Sequence, residues 1–370
     1  MSAAAVAGAR RSAGLPDFPW DLLEPAKAKA AAHPGGLVDL SIGTPVDPVP
    51  EVVRQALTAA ANAPGYPLTA GTPALREAIA AWVRRRCGAP GGFGVLPTIG
   101  SKELVAWLPT LLGIGPGDSV VIPRVCYPTY EVGVRLAGAA VIRSDSLTAV
   151  GPAPVKLVWI NSPSNPTGRV LPAAHLRKVV DWARERGAVV ASDECYLPLG
   201  WAETPVSALS VCDGRYDGVL AVHSLSKRSN LAGYRAGFLA GDPGLVAELL
   251  AVRRHAGMML PAPVQAAMVA ALADESHVDT QRQRYARRRD LLRGALLGAG
   301  FTIEHSEAGL YLWASRAEDC WSTVDWLAER GILAAPGAFY GPTGAQHVRV
   351  ALTATDERVE AAVARLSRAG

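Results

Sequence analysis

Lysine is scarce in a chain that otherwise favours arginine: among 37 basic residues the lysines are Lys27, Lys29, Lys102, Lys156, Lys178 and Lys227. A retained lysine invites a chemical reason, because a lysine amine can condense with an aldehyde to an imine and a guanidinium cannot. Lys27, Lys29 and Lys178 fall on helical patterns and read as solvent-facing, and Lys156 begins an apolar run. Lys227 differs. It follows the run GVLAVH in Ser224-Leu225-Ser226-Lys227, which sets two hydroxyls beside an amine at a strand end.

Three further polar clusters also follow apolar runs. Asn161-Ser162-Pro163-Ser164-Asn165-Pro166-Thr167-Gly168 comes after VKLVWI, and Asp193-Glu194-Cys195-Tyr196 after AVVAS. Gly100-Ser101-Lys102-Glu103 follows VLPTI and opens a helical pattern. Ligands of open α/β sheets bind beyond the carboxyl ends of the strands, so four such ends describe a candidate site. The Asp193 carboxylate closes an apolar strand and needs a cation or strong donor. A helix cap or turn would use it; so would a pyridinium N–H. Phosphate asks for helix N-terminal amides, hydroxyls and a fixed cation. Ser101, Lys102, Ser224, Ser226 and Arg235 could supply them, with Gly233 bending the chain to aim Arg235 back.

The elements that must position these groups are legible from residue 100 to about 240. Helical patterns (KELVAWLPTLLG, AAHLRKVVDWARERG) alternate with the runs SVVIP, AVIRSD, VKLVWI, AVVASD, GVLAVHS and AGFLAG. Short, wholly apolar strands between helices predict a largely parallel sheet covered on both faces. Long helical patterns occupy Pro243 to Leu297, and GLYLWA and HVRVAL with two more helices predict a smaller α/β domain. The predicted division is a flexible tail at 1–14, a segment at 15–45 joining the small domain, a large domain at 46–285 and a C-terminal small domain at 286–370. In Leu15-Pro16-Asp17-Phe18-Pro19-Trp20, prolines forbid a regular helix, so the large groups must dock. They either dock on the small domain or close over the site.

A hydrophobic fraction of 49% and a charged fraction of 19% describe a packed globular protein. The net charge of +4 is spread along the chain, and Arg282, Arg284, Arg287, Arg288 and Arg289 read as a solvated helix face. Five scattered cysteines without a C-x-x-C pair argue against a zinc motif and a disulfide framework and fit a reducing cytosol. The Ala-rich start is too weakly apolar for a signal peptide, and no run reaches the roughly 18 apolar residues of a membrane span. A cytoplasmic protein is expected.

N-P-T-G at 165–168, S-D-E-C-Y at 192–196, and S-L-S-K with Arg235 eight residues past Lys227 resemble, in order and spacing, the fold-type I aminotransferases that depend on pyridoxal 5'-phosphate (PLP). Gly43-Thr44-Pro45, Tyr66 with Gly71, Tyr127-Pro128-x-Tyr130 and Arg349 extend the match over about residues 38 to 355. Segments such as LSIGTPVDPVP and VALTATDERV are similar to actinobacterial N-succinyldiaminopimelate aminotransferases.

The resemblance implies an α/β fold with a mostly parallel seven-stranded sheet in a large domain plus a smaller α/β domain. It implies that Lys227 carries PLP as an imine and serves as the base, with Asp193 on the pyridine nitrogen. Asn165 and Tyr196 would bond the ring oxygen and Tyr127 stack on the ring. Ser101, Lys102, Ser224, Ser226 and Arg235 would surround the phosphate, joined by Tyr66 from the second subunit of a homodimer. Arg349 would clasp the substrate carboxylate near Gly43 and Asn165. The implied reaction is transamination of N-succinyl-LL-2,6-diaminopimelate with 2-oxoglutarate. Other class I aminotransferases, or a PLP C–S lyase, are the alternatives. No metal is implied, and neither nucleic acid nor membrane is an expected partner. Arg253, Arg254 and the Phe18–Trp20 segment are candidates to read the far end of the substrate.

Overall fold

The computed structural model describes residues 15, 16 and 18–367; the expected tail at 1–14 lies outside them. The apolar runs become the strands of a seven-stranded sheet. These are β2 (Gly94–Ile99), β3 (Ser119–Ile122), β4 (Ala140–Arg143), β5 (Val155–Asn161), β6 (Val189–Asp193), β7 (Val219–Ser224) and β8 (Ala236–Gly241). Their order is β2-β8-β7-β6-β5-β3-β4, and β8 runs antiparallel to both neighbours while the pairs from β7 to β4 are parallel. The reversal has a local cause. Only residues 225–235 link β7 to β8, too short a path for a parallel crossover. Nothing in AGFLAG itself betrays direction.

Both faces are covered, which is why the strands carry no polar alternation. Val158, Ile160, Val190, Val219 and Ala221 face one core with helices Pro73–Cys87, Ala173–Glu185 and Ala262–Ala273. Leu157, Trp159, Ala191, Leu220 and Val222 face the other with helices Gly100–Leu111, Thr129–Ala137 and Pro243–His255. Period-2 alternation thus sends consecutive residues of β6 and β7 to opposite cores.

A third core belongs to the C-terminal part. β10 (Tyr311–Ser315) and β13 (Val348–Ala351) pair antiparallel, flanked by β9 (Thr302–Glu304) and β12 (Ala335–Pro336). β1 (Val38–Asp39) pairs parallel with β11 (Ile332–Leu333), and Leu23, Val38 and Leu40 pack into this core. The expected boundary at 285/286 falls inside one unbroken helix, Ser276–Gly298. On that helix the solvated-face reading of the arginines fails at one position. Arg288 is buried, fork-bonded to Asp47 at 2.7 and 2.8 Å and bonded through Nε to Asp356 at 2.7 Å. It ties the chain entering the large domain to the last helix, Asp356–Ser367. Among the described residues no helix is long and apolar enough to cross a membrane.

Candidate active site

The strand ends converge as the sequence predicts. Asn161 at the end of β5 lies level with Asp193 at the end of β6, Asp193 with Val222, and Ser224 at the end of β7 with Gly237. Asp193 is 6% exposed. Its Oδ2 accepts from the Tyr130 hydroxyl at 2.7 Å and its Oδ1 from the Cys195 amide at 3.2 Å. Burial lifts its carboxyl above the ordinary range, and the Cys195 and Tyr130 bonds reverse this only in part. Neither partner is a cation. Tyr130 is fixed by stacking on Trp159 at 4.9 Å, and it meets Tyr127 edge-on at 5.9 Å.

Lys227 sits on the short helix Leu225–Arg228, capped by Ser224 Oγ, which accepts from the Ser226 amide at 3.1 Å. The Lys227 ammonium donates to the Gly43 carbonyl, across from the N-terminal segment. Burial lowers this amine to about 8, with the charges of Arg349 and Arg235 adding to the effect. Gly100 opens the helix Gly100–Leu111 at φ +70°, and a Cβ there would collide with the Arg235 guanidinium. Glycine therefore lets Arg235 lie against the helix N-terminus. Arg235 itself is left-handed, at φ 55°, and bonds the Ala232 carbonyl at 2.8 Å; the left-handed bend lies at Arg235, not at Gly233 as the sequence suggested.

On the opposite wall Arg349 is 3% exposed. Its Nη1 donates to Asn165 Oδ1 at 3.0 Å and its Nη2 to the Ser41 carbonyl at 2.6 Å. Its guanidinium lies over Tyr311 at 4.0 Å and Tyr340 at 4.9 Å, while its Nε has no partner among the described residues. Tyr196 and Tyr311 share a hydroxyl contact of 3.2 Å. A Cβ at Gly43 would overlap the Tyr311 hydroxyl, so only glycine lets this backbone approach.

Two expected members stand apart. The Lys102 ammonium is turned to the Phe18 ring, 5.7 Å from its centroid. Tyr66 is 97% exposed, standing out from its own subunit. Phe18 in turn contacts Trp20, and Trp20 contacts Phe339, so the Pro-locked segment touches the helix of Ser101 as well as the third core. It forms a 3-10 turn, Pro19–Leu23, in keeping with its prolines. Arg253 is not a reader of substrate: it is fully buried and fork-bonded to Glu103 at 2.9 and 3.0 Å.

Residues 36–366 match the family described as aminotransferase class I and II. The chain belongs to that family. It is 65% identical over 360 residues to "Probable aminotransferase Rv1178" of Mycobacterium tuberculosis, covering 96% of this chain and 86% of that one. It is 62% identical over 356 residues to the 4-dedimethylamino-4-oxo-anhydrotetracycline transaminase OxyQ of Streptomyces rimosus, covering 95% and 99%. A solved structure from Thermus thermophilus described as a probable N-succinyldiaminopimelate aminotransferase superposes with a TM-score of 0.85 at 31% identity, covering 95% and 100%.

Class I aminotransferases depend on PLP, and the residues of this aminotransferase fit that cofactor. Lys227 presents an amine whose hold on its proton is weakened by burial. Asp193 is a buried acceptor with no cationic partner in the bonds it makes. Ser224 and Ser226 are joined by a hydrogen bond, and Arg235 lies against the N-terminus of the helix that carries Ser101, a place suited to an anion. Three contributors escaped the sequence reading. Tyr130 lay in the quoted Tyr-Pro-x-Tyr, but only folding shows its hydroxyl on Asp193. Tyr311 looked like one more apolar strand residue, and Gly100 like a plain helix start.

The Arg349 geometry makes a prediction for this aminotransferase. Arg349→Lys keeps the charge but loses the planar fork. Losing one or two charge-assisted hydrogen bonds raises KM for glutamate about 10- to 100-fold, with a smaller effect on kcat. Steady-state kinetics check this; an unchanged KM would move the carboxylate contact elsewhere.

Proposed function

We propose that this aminotransferase transfers the amino group of N-succinyl-LL-2,6-diaminopimelate to 2-oxoglutarate in a cytoplasmic lysine-forming route. The observation that carries the transamination chemistry is the desolvated amine of Lys227, aimed at the Gly43 carbonyl and within electrostatic reach of Arg349 and Arg235. When bound, PLP supplies an aldehyde for amines and a protonated ring that accepts the electron pair left at a substrate Cα. Lys227 would hold PLP through its amine, and that amine would serve as the base for the substrate Cα proton. Asp193 would face the ring nitrogen, Asn165 and Tyr196 the ring oxygen, and Tyr127 the ring face. Arg349 fixes the α-carboxylate common to both substrates, so the pocket distinguishes them only beyond Cα.

The succinylated donor is favoured by the sequence resemblance and by the likeness to the Thermus protein, a probable N-succinyldiaminopimelate aminotransferase. The 62% identity to a transaminase of a tetracycline intermediate favours a second reading, in which a bulky cyclic ketone is the acceptor. A turnover panel separates them. N-succinyl-LL-2,6-diaminopimelate, glutamate, aspartate and alanine are offered as donors with 2-oxoglutarate, and a polycyclic ketone as acceptor with glutamate. The expected result is the highest kcat/KM for the succinylated donor. A higher value for the ketone, or for aspartate or alanine, would overturn the substrate while leaving the aminotransferase intact.

The exposed Tyr66 supports a homodimer with shared sites, its hydroxyl reaching the phosphate of the second subunit. Sedimentation is expected to give a dimer. Tyr66→Phe is expected to weaken PLP retention with dimerisation unchanged. A fully active monomer would end the shared-site reading.

A further inference from the structure

Behind the strand ends of the active site lies a second constellation. Glu194 follows Asp193 and His223 precedes Ser224, and alternation turns both toward the opposite core, where Cys87 ends the helix Pro73–Cys87. Cys87, Glu194 and His223 are each at most 2% exposed. Their Sγ, Oε2 and Nε2 atoms lie within 4.8 Å of one another. Sγ to Nε2 is 3.6 Å, and Nε2 to Oε2 is also 3.6 Å.

The Cys87–His223 separation is that of a sulfur hydrogen bond and equally that of two ligands on one ion, whereas the His223–Glu194 separation fits a shared ion better than a shared proton. At 3.6 Å the imidazole–carboxylate pair is outside hydrogen-bond range. A tetrahedral Zn²⁺ with a Zn–S bond of about 2.3 Å and a Zn–N bond of about 2.05 Å sets sulfur and nitrogen about 3.6 Å apart. Glu194 Oε1 is already held by Ser192 Oγ at 2.8 Å and the Ala208 amide at 2.7 Å, which orients the carboxylate. Glu194 Oε2 has no partner among the described residues, although it is buried. A buried oxygen without a donor costs free energy unless something positive meets it. The Ser207 hydroxyl bonds both the thiol and the carboxylate and so supports two of the three groups from outside.

We propose that Cys87, Glu194 and His223 form a structural site for one borderline-soft divalent cation, Zn²⁺ by ligand chemistry. Binding replaces the thiol and carboxyl protons, which leave as two H⁺, so the dication and two anionic ligands sum to zero charge in the core. The donor set of thiolate, imidazole and carboxylate disfavours Mg²⁺ and Ca²⁺, which take oxygen ligands. The ion would pin the ends of β6 and β7 to the helix Pro73–Cys87 from the side opposite the cofactor cradle. Asp193 and Ser224 are the immediate neighbours of two ligands, so the site would stiffen the frame that holds them.

The ion must be loaded as the chain folds, because the site is closed. The holoenzyme is produced in medium supplemented with Zn²⁺ or Co²⁺, freed of any tag, passed over a chelating resin and analysed for metal per chain. About one equivalent is expected, with the Co²⁺ form showing thiolate charge transfer and visible d–d bands. Cys87→Ser and His223→Gln are expected to drop the content below about a tenth of an equivalent with circular dichroism unchanged. Metal-free wild-type protein, or Cys87→Ser carrying as much metal as wild type, would overturn the site. If the variants fail to fold, the difference spectrum of the wild-type Co²⁺ form minus its Zn²⁺ form, in which the imine band cancels, decides: thiolate charge transfer with d–d bands supports the proposal, and their absence refutes it.

Discussion

Lys227→Ala abolishes amino transfer and the near-visible imine absorbance while leaving the fold intact. The side chain makes its polar contact with the Gly43 carbonyl, and the helix around it is held by Ser224 and by the buried Leu225 and Arg228, so truncation removes chemistry without removing packing. No other lysine is placed to substitute. Lys102 is turned to Phe18, and Lys29 is paired with Asp325 and Glu329 on the surface. Borohydride reduction of the holoenzyme followed by peptide mapping should label Lys227 and nothing else; a variant that still traps cofactor would refute the assignment. The direction of the amine's shift adds a pH signature. Burial, with Arg349 and Arg235 adding, lowers Lys227 from 10.5 to about 8. Below that value the amine is protonated and cannot attack an aldehyde; above it the lone pair is free. Capture of PLP by apo-enzyme is therefore expected to accelerate as pH rises through about 8, well before an ordinary lysine would respond. A midpoint near 10.5 would place the amine in water-like surroundings and remove the electrostatic argument.

Asp193→Asn is the second large effect. The carboxylate is buried against Tyr130 and the Cys195 amide, an environment that raises its own proton affinity until a cation arrives. A protonated pyridine nitrogen is such a cation, and the pair then stabilises both charges. An amide keeps the shape and the Tyr130 contact but loses the anion. Withdrawing a close opposite charge shifts a partner's pKa by about 1 to 3 units. The protonated fraction of the ring, and with it turnover at neutral pH, falls by about 10- to 1,000-fold on the same scale. PLP remains bound through Lys227 and the phosphate cradle, so the cofactor spectrum persists while single-turnover rates drop. Near-normal rates would show that another group protonates the ring.

What the sequence determined by itself was the chemistry and its scaffold. The apolar runs had no polar face, which required a sheet buried on both sides, and each polar cluster closed one run. Each cluster thus marked a strand end, while the strand order β7-β6-β5 that sets Lys227, Asp193 and Asn165 beside neighbouring ends came from the fold. Direction along the sheet was invisible, because β8 carries the same apolar content as its parallel neighbours and only the length of its connection reverses it. The solvated-face reading failed at Arg288 and the substrate-reader reading at Arg253, where distant carboxylates bring guanidinium groups into the interior. The sequence could not report those partners, since Asp47 and Glu103 lie far off along the chain. The same holds for Tyr130 on Asp193, Tyr311 against Gly43, and Cys87 beside Glu194 and His223. Local periodicity decides which face a side chain takes; only the packed tertiary structure decides what it meets there.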